Sequence, residues 1–144
     1  MPAGFLGELL GTMVLILLGD GVVAAVLLNK SKAQNAGWIV ITAGWAFAVA
    51  MGAFTSIAFG GPGSLNPAGV IQGWFLPAAG TELNITADIL IIVAQFLGAA
   101  IGAVLVYLAY LAHWPVTDDP GAKLGVFSTG PAIRNPTANL ITEI

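Results

Sequence analysis

Three long apolar runs are the feature that most restricts how this chain can fold. They extend over residues 5–28, 38–59 and 89–114. Each is longer than the roughly 20 helical residues needed to cross the hydrocarbon core of a bilayer. The second run contains no charged residue, and the third is uncharged up to His113. The runs predict an all-α membrane protein with three transmembrane helices.

Composition leads to the same class and excludes several others. Hydrophobic residues make up 58% of the chain and charged residues 8%, which is too little polar surface to coat a soluble globule of 144 residues. The net charge of -3 is spread over separate residues, which argues against a nucleic-acid partner. There is no cysteine, and His113 has no second histidine to share a metal ion. We therefore expect no metal and no cofactor.

Small residues recur at intervals of four within each apolar run. They are Gly7 and Gly11 in the first run, Gly44, Ala48 and Gly52 in the second, and Gly98 and Gly102 in the third. This spacing places them on one face of a helix, where two backbones can approach closely. The alternative is that glycine and alanine are simply common in membrane helices. Because all three runs share the pattern, it favours close helix packing.

Three polar residues inside the runs need an explanation. Glu8 and Gln95 are costly to expose to lipid, so they are expected to point inward and hold irregular backbone by hydrogen bonds. For Glu8 the alternative is a place at the membrane interface. Asp20 lies at mid-span between two glycines, and the sequence gives no account of its role.

The segment FGGPGSLNPAGVIQGWF, residues 59–75, breaks the apolar pattern. Non-helical backbone at membrane depth is tolerated only where it is buried in protein or lines a watery cavity, so the glycine-rich part predicts a re-entrant loop. Asn66 is a strong N-cap residue, and Pro67 suits the first position of a helix. A half-helix is therefore predicted over residues 67–75, ending near Pro77.

This segment also suggests how a solute could be recognised. If the side-chain oxygen of Asn66 caps the half-helix, its amino group is left as an outward donor. The positive end of the helix would repel cations. The carbonyl groups of Pro62, Gly63 and Ser64 would form a file of acceptors if the loop is extended. The alternative is an ordinary capped amphipathic helix lying at the membrane interface.

Five segments, in chain order, carry a family resemblance. They are GELLGTMVLILLGDG, GWAFAVAMG, SLNPAGVI, VAQFLGAAIGAVLVY and GVFSTGP. They resemble the first helix, the second helix, the first Asn-Pro-Ala motif, the third helix and the following connection of the aquaporin and glycerol-facilitator (major intrinsic protein) family. The resemblance covers essentially the whole chain and implies the first aquaporin-like repeat over residues 1–114. It also implies a multi-pass protein of the plasma membrane that assembles as a homotetramer.

The resemblance also implies roles for individual residues. Asn66 would be the pore-lining amide, and Pro67 and Ala68 would complete the motif. Glu8 and Gln95 would support the re-entrant loops. Trp45 would form an aromatic wall of the outer constriction. By position alone, Trp45 could equally be a membrane-interface tryptophan. An aromatic residue at the constriction suits a polyol, because its ring packs against the carbon backbone.

The implied function is a passive channel, and not an enzyme, for glycerol, water and other small neutral solutes such as polyols or uncharged acids. Two alternatives remain at this point. One is a non-conducting bundle of membrane helices, and the other is part of a different inverted-repeat transporter, for which Asp20 is the only candidate ion ligand. The sequence departs from the family at Ser64, where many members have histidine. Lys30 and Lys32 would place the first connection in the cytoplasm, whereas the family places it outside.

Only one of the family's two inverted repeats is recognisable. Residues 115–139 are expected to be a connecting loop, and residues 140–144 to be the truncated start of a fourth span. Asn135 and Pro136 lie in a polar tail and are not counted as a second motif. The chain is therefore expected to form half of a pore that a second, C-terminal repeat completes.

Overall fold

A computed structural model describes residues 3–76 and 82–144, and within these residues the chain is entirely helical apart from turns and loops. The helices are α1 (Phe5–Leu27), α2 (Trp38–Ala58), α3 (Pro67–Phe75), α4 (Ile85–Ala109), α5 (Pro120–Phe127) and α6 (Pro136–Glu143). By length and composition, α1, α2 and α4 could each cross a membrane. The prediction of an all-α membrane protein with three long apolar helices is confirmed.

Helix α1 lies between α2 and α4, and glycines mediate both contacts. A methyl group on Gly7 would lie 2.5 Å from the backbone oxygen of Ser56 in α2. On the other side, a methyl group on Gly102 of α4 would lie 2.7 Å from the backbone oxygen of Met13. Backbones this close leave no room for a side chain, so the four-residue spacing of small residues marks the packing faces of the bundle.

The third long helix is displaced from its predicted bounds of 89–114. Helix α4 begins at Ile85, because the side chain of Asn84 accepts a hydrogen bond from the amide of Ala87 at 3.1 Å and so caps it. It ends at Ala109. Beyond that point Trp114 folds back, stacks on Tyr107 at 5.5 Å and donates from Nε1 to the Tyr107 carbonyl. Apolarity alone could not distinguish these packed turns from helix.

The segment predicted as a loop over residues 115–139 contains helical structure, which corrects that prediction. Helix α5 is capped by Asp119, and Val126 packs into the core beside Ala24. Helix α6 starts inside the predicted loop, is capped by Asn135 and covers most of the predicted fourth-span start, residues 140–144. Both helices begin with an Asx-Pro pair, which is the same helix-start chemistry that predicts α3 at Asn66–Pro67.

Hydrogen bonds join the end of α1 to the segment after α4. The backbone N–H of Asn29 donates to Thr117 Oγ1 at 2.9 Å, and its side-chain amide donates to the Val116 carbonyl at 2.9 Å. The Nδ1 atom of His113 lies 2.9 Å from the Asn29 carbonyl oxygen. His113 therefore has a structural contact at this end of the bundle.

Candidate pore-lining site

The loop between α2 and α3 takes backbone conformations that favour glycine. Gly60 and Gly63 have φ angles of +76° and +73°, in the left-handed region that glycine enters without steric cost. Leu65 also has a positive φ, +53°, which is uncommon for a residue with a side chain. Leu65 is only 7% exposed, so its packed side chain helps to hold this conformation.

The carboxylate of Glu8 holds this loop from inside the protein. Glu8 is fully buried, with 0% exposure. Its Oε1 atom accepts from Ser56 Oγ at 2.7 Å and from the Ser64 amide at 3.0 Å. Its Oε2 atom accepts from Ser64 Oγ at 3.0 Å, the Leu65 amide at 2.8 Å and Gln95 Nε2 at 2.6 Å. One side chain of α1 thus joins α2, the loop and α4.

Ser56 belongs to this network, although it is not among the residues that the sequence predicts for the site. Its hydroxyl is buried, donates to Glu8 and accepts from the Gly63 amide at 3.0 Å. The available signal was its position four residues after Gly52, on the same packing face of α2. A polar residue on such a face is expected to find a partner on the helix it contacts.

Gln95 lies where α4 meets the loop. Its Nε2 atom donates to Ser64 Oγ at 2.8 Å as well as to Glu8. Among the described residues, its Oε1 atom and the buried hydroxyl of Thr12 have no hydrogen-bond partner. Thr12 follows Glu8 by one helical turn, so both unpartnered atoms lie beside the network rather than on the lipid surface.

The loop backbone is polarised, with its N–H groups directed into the protein. The amides of Gly61, Gly63, Ser64 and Leu65 donate to Ser56 or Glu8. By contrast, no residue in the described ranges donates a hydrogen bond to the carbonyl oxygens of Pro62, Gly63 or Ser64. The loop therefore offers a set of free acceptors on the side away from Glu8.

Asn66 and Pro67 start the half-helix as their residue types predict. The Oδ1 atom of Asn66 accepts from the Ala68 amide at 2.9 Å, and Pro67 occupies the first turn. Asn66 is exposed, and among the described residues its amino group has no hydrogen-bond partner, whereas its oxygen is used in the cap. Helix α3 ends at Phe75. The predicted stop near Pro77 lies outside the described residues.

Trp45 lies against α1 rather than on the outer surface of α2. Its ring occupies the space next to Gly19, where a methyl group would overlap the ring atoms. The indole is half-buried and packs beside Val23, Val26 and Ile41. Trp38, at the start of the same helix, is 75% exposed, so the two tryptophans differ in environment.

Asp20 lies apart from this network. It is 8% exposed and lies on α1 between Gly19 and Gly21. Three turns of helix separate it from Glu8, about 18 Å at the rise of an α-helix. No residue in the described parts of the chain donates a hydrogen bond to its carboxylate. The structure does not bring Asp20 together with the other site residues.

Comparison with known proteins identifies the family. The sequence model of one protein family, described as "Major intrinsic protein", matches residues 3–143. The chain belongs to the major intrinsic protein family. The resemblance of the sequence to the aquaporin and glycerol-facilitator family is thereby confirmed over nearly the whole length of the chain.

Three of the proteins that the chain resembles are named as glycerol uptake facilitators. The chain is 53% identical to the probable glycerol uptake facilitator protein of Thermotoga maritima, covering 97% of this chain and 58% of the relative. It is 52% identical to glycerol uptake facilitator protein 3 of Lactiplantibacillus plantarum, covering 96% and 56%. Identity to the glycerol uptake facilitator protein of Bacillus subtilis is 47%, covering 97% and 49%. The chain thus spans about half the length of the curated relatives it matches. No solved structure matches it significantly.

Proposed function

We propose that this chain forms one wall of a passive channel for glycerol, water and similar small neutral solutes. A second three-helix repeat would supply the other wall. The observation that carries the proposal is the polarised loop. Glu8 and Ser56 take its N–H groups, which leaves the carbonyls of residues 62–64 and the amino group of Asn66 available to a solute.

These groups match the chemistry of a polyol. A hydroxyl group donates to one oxygen and accepts from another group, and the loop offers acceptors followed by a donor. Replacing the solute's hydration shell in this way needs no covalent step, so the proposed activity is transport and not catalysis. The half-helix adds a positive end, equivalent to about half an elementary charge, which disfavours cations at Asn66.

Trp45 is proposed as the aromatic side of the constriction. Its ring packs directly on Gly19, and an aromatic surface suits the carbon backbone of glycerol. Pro67 and Ala68 would then serve to start the half-helix, while Glu8 and Gln95 would support the loop. The support for this division is that the first pair lies in α3 and the second in the buried network.

The proposed setting is the plasma membrane, with the assembled channel as a homotetramer. Support for the membrane is the length and apolarity of α1, α2 and α4. Support for the plasma membrane is the name of the relatives, glycerol uptake facilitator proteins, because uptake takes place across the boundary of the cell. The tetramer rests on membership of the family.

The proposal can be tested with a hybrid protein in liposomes. Residues 1–144 would be joined to the part of the Thermotoga maritima relative that this chain does not match. We expect liposomes containing the hybrid to equilibrate an imposed glycerol gradient faster than liposomes containing either part alone. Equal rates of glycerol equilibration in the hybrid, the separate parts and empty liposomes would contradict the channel proposal and favour a non-conducting bundle of helices.

A further inference from the structure

Helix α3 is held to the rest of the protein by little apolar packing. None of its residues is buried. Its half-buried residues are Pro67, Val70, Gly73 and Trp74, which recur at intervals of three to four and so form one face. Among the described elements, α3 contacts α4, and Trp74 on this face reaches Asp88 of α4. A thinly packed helix depends strongly on its directional contacts to keep one orientation.

One directional contact lies near the C-terminal end of α3. The indole Nε1 of Trp74 donates to Oδ2 of Asp88 at 2.8 Å. Both side chains are half-buried. Asp88 lies in the first turn of α4, where its own backbone N–H donates to the Asn84 carbonyl at 3.0 Å. A hydrogen bond to a carboxylate is stronger than one between neutral groups.

The other end of α3 is held by a different set of contacts. The Leu65 amide, next to the cap residue Asn66, donates to the buried carboxylate of Glu8. Trp74 follows Asn66 by eight residues, about 12 Å along a helix. Two attachments at this separation fix the direction of the helix axis, whereas one attachment alone would allow the helix to swing.

We propose that Asp88 is a positioning residue for the Asn66 amide, acting through Trp74. By holding the far end of α3, it fixes the direction of the helix dipole and of the amino group at the near end. The inference deepens the proposed function, and its relevance to transport rests on that function. The contact and its effect on α3 orientation can be measured without any transport.

A competing role for Asp88 lies within α4 itself. A carboxylate in the first turn of a helix stabilises that helix through the macrodipole. Two substitutions separate the roles. Trp74→Phe removes the donor and keeps Asp88 in α4, while Asp88→Asn removes the charge and keeps an oxygen that can accept from Trp74. If Asp88 acts only through the macrodipole of α4, Asp88→Asn should perturb the protein more than Trp74→Phe does. The positioning role predicts that Trp74→Phe is the more disruptive of the two.

The first measurement follows the indole proton of Trp74 by NMR in residues 1–144. The chain has four tryptophans, and the signal lost in Trp74→Phe identifies the one in question. In Asp88→Ala we expect hydrogen exchange of this proton to speed up about tenfold or more, because a hydrogen bond to a charged acceptor is lost. Asp88→Asn should restore most of the protection. Asp118→Ala, at an exposed aspartate outside α3 and α4, is the matched control.

The second measurement follows the side-chain amide signals of Asn66. We expect them to shift in both Asp88→Ala and Trp74→Phe and to stay near their parent positions in Asp88→Asn. Unchanged indole exchange in Asp88→Ala would overturn the proposal. So would Asn66 signals that stay in place while the indole proton becomes exposed. A parent hybrid that fails to conduct would overturn the proposed function alone, because neither NMR readout depends on conduction.

Discussion

Removing the carboxylate of Glu8 should release the re-entrant loop. In Glu8→Ala, the amides of Ser64 and Leu65 lose their acceptor, and their direction is fixed by the backbone. The hydroxyls of Ser56 and Ser64 can rotate, and Gln95 keeps its bond to Ser64 Oγ. The lasting penalty therefore comes from the two backbone donors, in addition to the cavity that the missing side chain leaves.

The size of this penalty follows from the two orphaned donors. Each buried donor without a partner costs about 1–3 kcal/mol, so Glu8→Ala should lose about 2–6 kcal/mol. That loss is a large part of the roughly 5–15 kcal/mol by which a folded domain is stable. Glu8→Gln should lose about 1–3 kcal/mol. The amide oxygen of the new glutamine can accept from the three groups that donate to Oε2 of Glu8. Its amino group then faces the backbone N–H of Ser64, so two donors meet without an acceptor.

The assay is hydrogen exchange of the loop over residues 59–66 in detergent micelles, read by mass spectrometry. A local loss of about 2 kcal/mol raises exchange about 30-fold, since each 1.4 kcal/mol corresponds to a factor of ten. The expected order of exchange is Glu8→Ala fastest, Glu8→Gln intermediate and parent slowest. The control is Glu143→Gln, at an exposed glutamate in α6. Equal exchange in the parent and both Glu8 variants would refute the assignment of this carboxylate as the support of the loop.

Four further substitutions test the packing and the site. Gly7→Ala places a methyl group 2.5 Å from the backbone of α2 and should lower the free energy of unfolding by about 1–3 kcal/mol. Gly21→Ala, where nothing lies within 4 Å, should be neutral or stabilise by up to about 1 kcal/mol, and similar losses in both would contradict close packing at Gly7. Gly19→Ala should displace the Trp45 ring and lower the ratio of glycerol to water permeability of the hybrid in liposomes. An unchanged permeability ratio together with a shifted Trp45 fluorescence spectrum would show that the ring does not line the solute path. Asn66→Asp keeps the cap oxygen and removes the amino donor, so glycerol permeability should fall about tenfold while helix content by circular dichroism is kept. Unchanged permeability would exclude the amide from solute contact.

Features that depend on local chemistry could be predicted from the order of the residues alone. A run of apolar residues long enough to cross a bilayer specifies a spanning helix, because exposed backbone is too costly there. The Asn66–Pro67 pair specifies a helix start, because the cap oxygen of Asn66 accepts from an N–H of the first turn and Pro67 has no N–H that would lack an acceptor. The same chemistry at Asp119 and Asn135 was available and would have predicted α5 and α6.

Which residues meet could be learned only from the packed bundle. Glu8 finds partners 48, 56 and 87 residues away, at Ser56, Ser64 and Gln95. Hydropathy gives the length of a helix but not the direction in which each polar side chain points. That direction is fixed when α1 packs against α2 and α4 at their glycines, and the same packing places Trp45 on Gly19. Long-range pairings of this kind follow from the assembled bundle, since no local segment contains both partners.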